Sequence, residues 1–330
     1  MSWSPLKKKI AAWLVHRPDF LWPVNKAKTL LALGYEKEAL ALINSVLNKS
    51  TYKRMKKLKS IYTIPESIAK ENSVHIPNKI FLDNTEFDID LISDKFLLSY
   101  NGFCPVCQSM TTFSTQHIWL RDFYICTKCK SLPRDRQIFK IIYKQNINFD
   151  IDSVLELSPG NNHIKNIFKN YKGSFYYPDK EKGSVVDGFY NEDIQNMTFD
   201  DNTFDIVIHE DVFEHIFNPV EAIKEIYRIL KVGGKSIFCF PIYENLDKNV
   251  VRAKIDDAGN VSYILKPMFH GNPIDNDGAL VVYEYGHEIL NMLYNAIPGN
   301  KVKWTHVHEP DPSMGIAGKC LDCFMLEKIS

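Results

Sequence analysis

From about residue 150 onward, short apolar runs alternate with stretches whose apolar residues have helical spacing. Each run is almost continuously apolar, which is typical of strands in a parallel sheet that is covered on both faces. Residues 218–231, between the last two runs, have the pattern of a helix. This alternation predicts an α/β domain. The predicted strands are SVLEL (153–157), SFYY (174–177), FDIVI (204–208) and KSIFCF (235–240).

The N-terminal part of the chain has a different pattern. Residues 25–47 carry apolar residues at helical spacing around Gly34 and Tyr35, which predicts two helices joined by a turn. A single hairpin of this kind is not a repeat array, since such repeats need about three copies to bury their apolar faces. We therefore expect a helical segment over residues 1–60, followed by a connector over 61–100.

Charge is unevenly divided along the chain, although the formal net charge is zero. Residues 1–60 contain 13 Lys and Arg against 3 Asp and Glu, whereas residues 61–330 contain 27 against 37. The basic segment has two interpretations: an arm that binds a polyanion, such as nucleic acid, or a solvated helix face.

Composition limits the class of protein. With 330 residues and 45% hydrophobic content, the chain can bury a large core and has the length of about two domains. No apolar stretch approaches the roughly 18 residues of a transmembrane helix, and the apolar run after Lys7–Lys9 is cut by Pro18. The seven cysteines do not form a disulfide-scaffold pattern. We expect a cytoplasmic protein, and no particular oligomeric state is predicted.

Four cysteines have the spacing of a metal site. Cys104 and Cys107 form one C-x2-C pair, and Cys126 and Cys129 form a second pair eighteen residues later. Two such turns supply four thiolates to one tetrahedral ion, so the pattern predicts a structural zinc knuckle over residues 101–145. The alternative is four free buried thiols.

Two other groups of residues have patterns that are less specific for a functional site. Lys130, Arg134 and Arg136 follow the knuckle and suit either contact with an anion or surface solvation. Cys320 and Cys323 form another C-x2-C, but positions three apart on a strand face opposite sides. We therefore expect Cys320 and Cys323 to be core residues.

A ligand-binding turn is predicted after the first strand of the α/β region. The stretch 154–162 is a strand running into a turn that contains Gly160, and a helix is expected to begin near His163. Asp179 lies nineteen residues after Gly160, at the end of the second apolar run. An acid at this spacing can accept the ribose hydroxyls of a bound nucleoside.

The block 191–241 makes the interpretation specific. It contains an acid-Ile pair, an aromatic-Asp strand, a Glu-His helix and a Lys-x-Gly-Gly turn, in that order. This order resembles class I S-adenosylmethionine-dependent methyltransferases. The resemblance implies a Rossmann-like, mostly parallel seven-stranded sheet over residues 146–330, and a bound S-adenosylmethionine. Two departures from the family are that Ser158 and Asn162 replace glycines and that the crossover between Asp179 and Asp193 is short.

The resemblance also implies roles for individual residues. The first motif would bind the methionine end of the cofactor, Asp179 its ribose, and an acid-hydrophobe pair would flank its adenine. Residues after the fourth strand would line the methyl-transfer cleft. The corresponding positions are Glu156, Ser158 and Gly160; Asp193 and Ile194; and His209, Glu210 and Asp211.

A histidine is the expected proton acceptor of the reaction, because its ordinary pKa of about 6.5 suits proton removal at physiological pH. His215, next to Glu214, is favoured over His209 and His270 because it lies one helical step beyond the fourth strand. The alternative is a histidine that only caps or packs a helix. His270 lies in the polar stretch 243–285, which we expect to be a substrate lid.

The leading functional hypothesis is a methyltransferase acting on a sugar, a cell-surface glycan precursor or a related small molecule. The first alternative is a nucleic-acid (RNA) methyltransferase that uses the basic segment 1–60 to hold phosphates. The second is a non-enzymatic binding module containing zinc. A hydride-transferring dehydrogenase would suit the turn at Gly160, but the block 191–241 argues against it.

Overall fold

A computed structural model describes residues 98–117, 119–274 and 277–330. The predicted helical segment 1–60 and nearly all of the connector 61–100 lie outside these residues. The described chain divides into two compact units. The first ends at Arg136 but also includes Pro310–Lys319, and the second comprises Gln137–Glu309 and Cys320–Ser330. No pattern in the amino-acid sequence indicated that a segment near the C-terminus belongs to the first unit.

The first unit is built on a three-stranded antiparallel sheet. Its elements are β1 (Leu98–Cys104), β2 (Ser109–Thr115), α1 (Leu120–Phe123) and β3 (Ile125–Cys126), followed by the start of α2 (Pro133–Ile142). Phe113, Tyr124 and Leu120 are among its buried apolar residues. Gly315, in the returning segment, has a positive φ of 65°, and a Cβ there would meet the Phe113 ring at 2.6 Å. The position therefore requires glycine.

The second unit is built on an eight-stranded sheet with two helices. The strands are β4 (Ser153–Leu157), β5 (Asn170–Phe175), β6 (Val185–Val186), β7 (Phe189–Asn191), β8 (Phe204–Glu210), β9 (Leu230–Cys239), β16 (Val302–Val307) and β17 (Cys323–Lys328). Across the sheet they lie in the order β16-β17-β9-β8-β4-β5-β7-β6. The helices are α3 (Pro219–Ile229) and α4 (Glu288–Asn295).

The predicted α/β architecture is confirmed, but the strand count differs from the expected seven. The central strands β5, β4, β8 and β9 are parallel to one another, as is β7 to β5. The additional strand belongs to the short β6–β7 hairpin at one edge, and β17 and β16 are antiparallel at the other. The sheet is therefore mixed at both edges and parallel in its centre.

The predicted helix 218–231 forms as α3. Asn218 caps it, with its side chain accepting a hydrogen bond from the Glu221 amide, and Pro219 occupies the first turn. Its apolar face is buried in the main core through Ala222, Ile223, Ile226 and Ile229.

The two crossovers before β8 are both short. The helix expected near His163 is absent; residues 163–167 form turns, and the Asn161 side chain accepts a hydrogen bond from the His163 amide. Local hydrogen bonds of this kind compete with helix formation. The crossover that follows β5 consists of loops and the β6–β7 hairpin, in agreement with the abbreviation expected from the sequence.

The stretch predicted as a lid, 243–285, contains three small antiparallel strand pairs. The strands are β10 (Val250–Val251), β11 (Ala253–Ile255), β12 (Val261–Tyr263), β13 (Phe269–His270), β14 (Ala279–Leu280) and β15 (Tyr283–Glu284). β10 pairs with β15, β11 with β12, and β13 with β14. In the part of the chain that the structure describes, no helix combines the length and apolarity needed to span a bilayer.

Candidate functional site

The strand order places a candidate ligand site at the carboxyl ends of β4 and β8. From β4 the chain moves to β5 on one side, and later returns to β8 on the other side of β4. In open α/β sheets, ligands bind outside the carboxyl ends of the strands at such a reversal of strand order. The loops that begin at Ser158 and Asp211 therefore flank the expected crevice.

Both loops begin with a residue in the left-handed conformation. Ser158 and Asp211 each have a φ of 54°. Ser158 thus adopts the backbone conformation that glycine favours, although it is a serine. Two residues later, an added Cβ at Gly160 would meet no atom within 4 Å among the described residues. The turn is thus open to the approach of a ligand at Gly160.

Glu156 lies inside β4 and is nearly fully buried. Its Oε2 accepts a 2.7 Å hydrogen bond from the Tyr171 hydroxyl. Burial and the neighbouring Glu156 carboxylate raise the pKa of Tyr171 above its ordinary value. Sequence reasoning missed Tyr171, since only the register of β4 and β5 brings it beside Glu156.

Asp179 is exposed in the loop that follows β5. This loop is held by Asn191, a buried residue at the end of β7. The Asn191 amide group donates hydrogen bonds to the carbonyls of Tyr177, Lys180 and Glu181, and its side-chain oxygen accepts one from the Tyr177 amide. Asn191 therefore positions the predicted ribose-binding residue, and no sequence pattern singled it out.

Asp193 and Ile194 have different environments. The Asp193 carboxylate accepts hydrogen bonds from the Gln195 amide and side chain at 2.9 and 3.1 Å. Ile194 is 6% exposed and belongs to the main core, so its side chain has little surface to offer an adenine ring. Tyr176 is 58% exposed, and partial burial together with the Asp193 charge raises its pKa. Sequence reasoning missed this exposed ring.

His209 lies in the core, which corrects its assignment to the cleft as a cofactor contact and possible base. Its side chain is fully buried, and neither ring nitrogen has a hydrogen-bond partner among the described residues. Burial lowers the pKa of His209 to about 3. A neutral imidazole enclosed in this way cannot exchange a proton with a substrate. Glu210, the next residue, ends β8 and is half-buried.

Glu214, His215 and His270 form a cluster just beyond β8. Glu214 and His215 belong to a short 3-10 helix, Phe213–His215, and His270 ends β13. Glu214 Oε1 lies 3.8 Å from His215 Nε2 and 3.8 Å from His270 Nδ1. The two imidazole rings meet edge to face, with centroids 5.3 Å apart. The structure thus brings His270 to His215, a proximity that the sequence does not reveal.

The segment 279–285 holds this cluster in place. The Val282 amide donates a 2.7 Å hydrogen bond to the Glu214 carbonyl, and the Tyr285 hydroxyl donates a 2.8 Å bond to the Phe213 carbonyl. His215 Nδ1 lies 2.9 Å from the Leu280 carbonyl oxygen. Because a carbonyl can only accept, Nδ1 carries the proton and Nε2 of neutral His215 keeps its lone pair.

The four cysteines of the predicted knuckle come together in the first unit. Their sulfur atoms all lie within 4.8 Å of one another. The Cys104–Cys129 and Cys107–Cys126 sulfurs are 3.7 and 4.0 Å apart. Zn–S bonds of about 2.3 Å place the sulfurs of a tetrahedral site about 3.8 Å apart. The thiol positions therefore fit a zinc ion.

The surroundings of the cysteines also suit thiolates. The hydroxyl of Ser131 lies 3.4 and 3.2 Å from the sulfurs of Cys104 and Cys129, and the Cys129 amide donates to Cys126 Sγ. The hydrogen bond between Cys104 and Cys129 lowers the pKa of Cys129 and raises the pKa of Cys104. The hydroxyl and amide contacts stabilise negative charge on the sulfur atoms that they reach.

Arg136 is fully buried in the first unit, which corrects its assignment to the surface. Its guanidinium donates to the carbonyls of Ser131, Tyr124 and Gly315, and its Cζ lies 4.6 Å from the centre of the Phe113 ring. Burial lowers the pKa of Arg136, and the charges of nearby groups, first among them Cys104, oppose that shift. A zinc ion with four thiolates has a net charge of −2, which would compensate the buried cation.

Arg134, Cys320 and Cys323 have structural environments. Arg134 forms an ion pair with Asp122 rather than standing free at the surface. Cys320 and Cys323 are both buried, as expected, but Cys320 precedes β17 and has a positive φ of 55°.

Comparison with known proteins identifies the central part of the second unit. Residues 176–238 match a family model described as a methyltransferase domain. A 56-residue stretch is 45% identical to cycloartenol-C-24-methyltransferase 1 from Oryza sativa subsp. japonica, covering 17% of this chain. The matched stretch spans 15% of that relative's length.

Solved structures with some similarity to this chain include two methyltransferases. An S-adenosylmethionine-dependent methyltransferase from Mesorhizobium loti is 12% identical, with a TM-score of 0.34, and the match covers 57% of this chain and 94% of that one. One from Methanosarcina mazei is 13% identical, with a TM-score of 0.34, covering 57% of this chain and 97% of that one.

The segment matched by the family model runs from the end of β5 through most of β9, and so includes β8 and the Glu214–His215 pair. Within the α/β fold of the second unit, residues 176–238 are therefore similar to a methyltransferase domain.

Proposed function

We propose that the protein transfers a methyl group from S-adenosylmethionine to a sugar, a cell-surface glycan precursor or a related small molecule. The observation that carries the proposal is the methyltransferase match over 176–238. The matched segment contains β8, one of the two strands that flank the candidate crevice. A small-molecule acceptor is supported by the rice relative, whose name identifies cycloartenol as its acceptor.

The cofactor is proposed to lie across the carboxyl ends of β5, β4 and β8. The open turn at Ser158 and Gly160 would receive its methionine end, and Glu156 lies directly before this turn. Asp179 would accept hydrogen bonds from the ribose hydroxyls. Asp193 would flank the adenine, with exposed Tyr176 in place of Ile194 as the apolar contact, because an aromatic face stacks on any base. Glu210 would border the methyl group.

His215 is the proposed proton acceptor, with His270 as the alternative. The Leu280 carbonyl fixes the His215 tautomer so that Nε2 can receive a proton. Most of the rate enhancement would come from holding the acceptor oxygen in line with the methyl group and its sulfur. The acceptor O–H bond and the S–CH3 bond break, a methyl ether forms, and S-adenosylhomocysteine and a proton leave.

Zinc is proposed as a structural ion bound by Cys104, Cys107, Cys126 and Cys129. Four protein ligands leave no open position, so the ion would stabilise the first unit and take no part in the chemistry. The alternative of a non-enzymatic zinc module predicts zinc without cofactor affinity.

Calorimetry with S-adenosylhomocysteine tests the proposed function. The parent protein should bind it, and Asp179→Ala should weaken binding by about 1–3 kcal/mol, the scale of hydrogen bonds to a charged group. Asp200→Ala is the matched control, because Asp200 is an exposed acid in the turn before β8, at the opposite end of that strand. Absence of binding by the parent protein would favour the non-enzymatic module.

A binding assay separates the acceptor classes. An RNA methyltransferase that used the basic segment 1–60 would bind RNA at low salt, and its affinity would fall steeply as salt is raised. Removal of residues 1–60 would then abolish RNA binding and leave cofactor affinity unchanged. A small-molecule methyltransferase should show no such binding.

A further inference from the structure

We propose that Glu214, His215 and His270 bind a divalent transition-metal ion in the second unit, separate from the zinc proposed for the cysteines. Each of the three offers one ligand atom, and these atoms all lie within 4.8 Å of one another. Two imidazoles and one carboxylate, with further positions open, are a ligand set that zinc and iron(II) use in catalytic sites.

The distances suit an ion placed between the side chains. Glu214 Oε1 is 3.8 Å from a nitrogen of each histidine, which is too long for a direct hydrogen bond. Ligand atoms at about 2.0–2.1 Å from a tetrahedral ion lie about 3.3 Å from one another. A contraction of about 0.5 Å along each of these two contacts would bring them to that spacing.

His215 has the orientation of a metal ligand. Its Nδ1–H donates to the Leu280 carbonyl, so the lone pair of Nε2 is directed away from that bond and toward the Glu214 side of the ring. Histidines that bind metal almost always donate their other ring N–H to a carbonyl or a carboxylate. The same contact fixes the ring before the ion arrives.

The Glu214 carboxylate needs a positive partner. Its side chain is only 2% exposed, and its Oε2 has no hydrogen-bond partner within the described ranges. Burial of a carboxylate without full pairing is costly, and a bound cation would offset that cost. The nitrogen ligands favour zinc or iron(II) over magnesium or calcium. The His270 side chain is 38% exposed, which leaves an open side for a further ligand.

The role of this ion, though not its binding, rests on the proposed methyl transfer. The cluster follows β8, whose end flanks the candidate crevice. An acceptor hydroxyl bound to the open position would lose its proton more readily, as metal-bound water does. With the ion bound, His215 Nε2 would be a ligand, so the ion would replace His215 in activating the hydroxyl, whose proton would pass to water. The substrate class is then an acceptor with a metal-binding hydroxyl, as in sugars.

Zinc stoichiometry tests the site. The full-length protein is equilibrated with excess Zn2+, desalted and analysed for metal. We expect two zinc ions per chain in the parent and one in His270→Asn, while His163→Asn, a substitution outside the cluster, should keep two. Equal zinc content in the parent and His270→Asn would overturn the proposal.

Glu214→Gln tests the metal site in a variant that should remain folded. It removes the buried charge at nearly constant size, so the protein should remain folded by circular dichroism while zinc affinity, measured by competition with a chelator, falls by at least about 10-fold. Undiminished affinity in folded Glu214→Gln would also contradict the site. S-adenosylhomocysteine binding is measured in parallel. A parent protein that binds two zinc ions but no S-adenosylhomocysteine overturns the methyltransferase proposal alone. A parent protein that binds S-adenosylhomocysteine but only one zinc ion overturns the metal site alone.

Discussion

The His209 imidazole lies stacked on the Phe238 ring, with centroids 4.7 Å apart and planes inclined by 17°. Phe213 contacts the same imidazole, with ring centroids 4.7 Å apart. The two strands β8 and β9 bring His209 and Phe238 into register. The histidine is thereby enclosed in an aromatic environment that excludes its charged form.

This enclosure predicts a pH-dependent stability. The folded pKa of His209 is lowered to about 3, so between pH 7 and pH 5 the unfolded chain binds a proton that the folded chain does not. Stability therefore rises with pH in this range, and the contribution of His209 falls by about 2 kcal/mol on going from pH 7 to pH 5. His209→Phe should remove this part of the pH dependence. Urea unfolding of both proteins at the two pH values measures it, and equal pH dependence would contradict the prediction.

Loss of one cysteine should unfold the first unit. We expect Cys104→Ser to reduce the zinc content by one ion per chain and to lower the melting temperature, because the binding energy of a structural zinc is folding energy. Metal analysis and calorimetric melting measure the two effects. Cys239→Ser, at a buried cysteine of the second unit, is the control and should keep the cysteine-bound zinc. A parent protein that melts identically with and without a strong chelator would contradict the structural role.

The buried guanidinium of Arg136 should be sensitive even to a conservative change. Arg136→Lys keeps the charge but cannot reach the carbonyls of Ser131, Tyr124 and Gly315 together, so we expect a loss of about 2–4 kcal/mol in unfolding free energy. Arg134→Lys, two residues away on the same helix, is the matched control and should cost less than about 1 kcal/mol. Denaturant unfolding measures both substitutions. Similar losses of unfolding free energy would contradict the structural role of the buried Arg136 guanidinium.

Asn191 should couple stability to cofactor binding. Asn191→Ala leaves the carbonyls of Tyr177, Lys180 and Glu181 without this donor, and we expect a loss of about 1–3 kcal/mol in stability. The loop that carries Asp179 should loosen, which weakens S-adenosylhomocysteine binding. Calorimetry measures the binding, and Asn196→Ala, at an exposed asparagine after β7, serves as the control. An unchanged affinity of Asn191→Ala for S-adenosylhomocysteine would show that this loop does not contribute to cofactor binding.

Turnover tests the activation of the acceptor. His215→Asn should lower turnover by roughly 10²–10⁴-fold, the usual contribution of proton transfer, and should leave cofactor affinity nearly unchanged. The same loss is expected whether His215 is the base or a metal ligand. Zinc added to protein whose cysteine site is already filled distinguishes the two, since it should then stimulate the parent only if the cluster binds metal. Turnover within a few-fold of the parent would remove His215 from the mechanism.

Local features of the sequence were enough to predict the central strands and helix α3 of the second unit and the grouping of the four cysteines. The apolar runs 153–157, 204–208 and 235–240 became central strands because a parallel sheet must bury both faces of each strand. The C-x2-C spacing brought each pair of thiols together because a two-residue turn leaves them little freedom.

Tertiary structure decided the features that depend on distant partners. His209 and His215 are six residues apart and were both candidate bases, with His215 favoured; β9 encloses His209, while the Leu280 carbonyl orients His215. His270 reaches Glu214 across 56 positions of sequence. The turn after Gly160 formed no helix, because the Asn161 side chain accepts a local hydrogen bond from the His163 amide. A sequence fixes which side chains are present and how each strand alternates, but burial, tautomer and proximity follow only from the packing of elements that the chain connects over long loops.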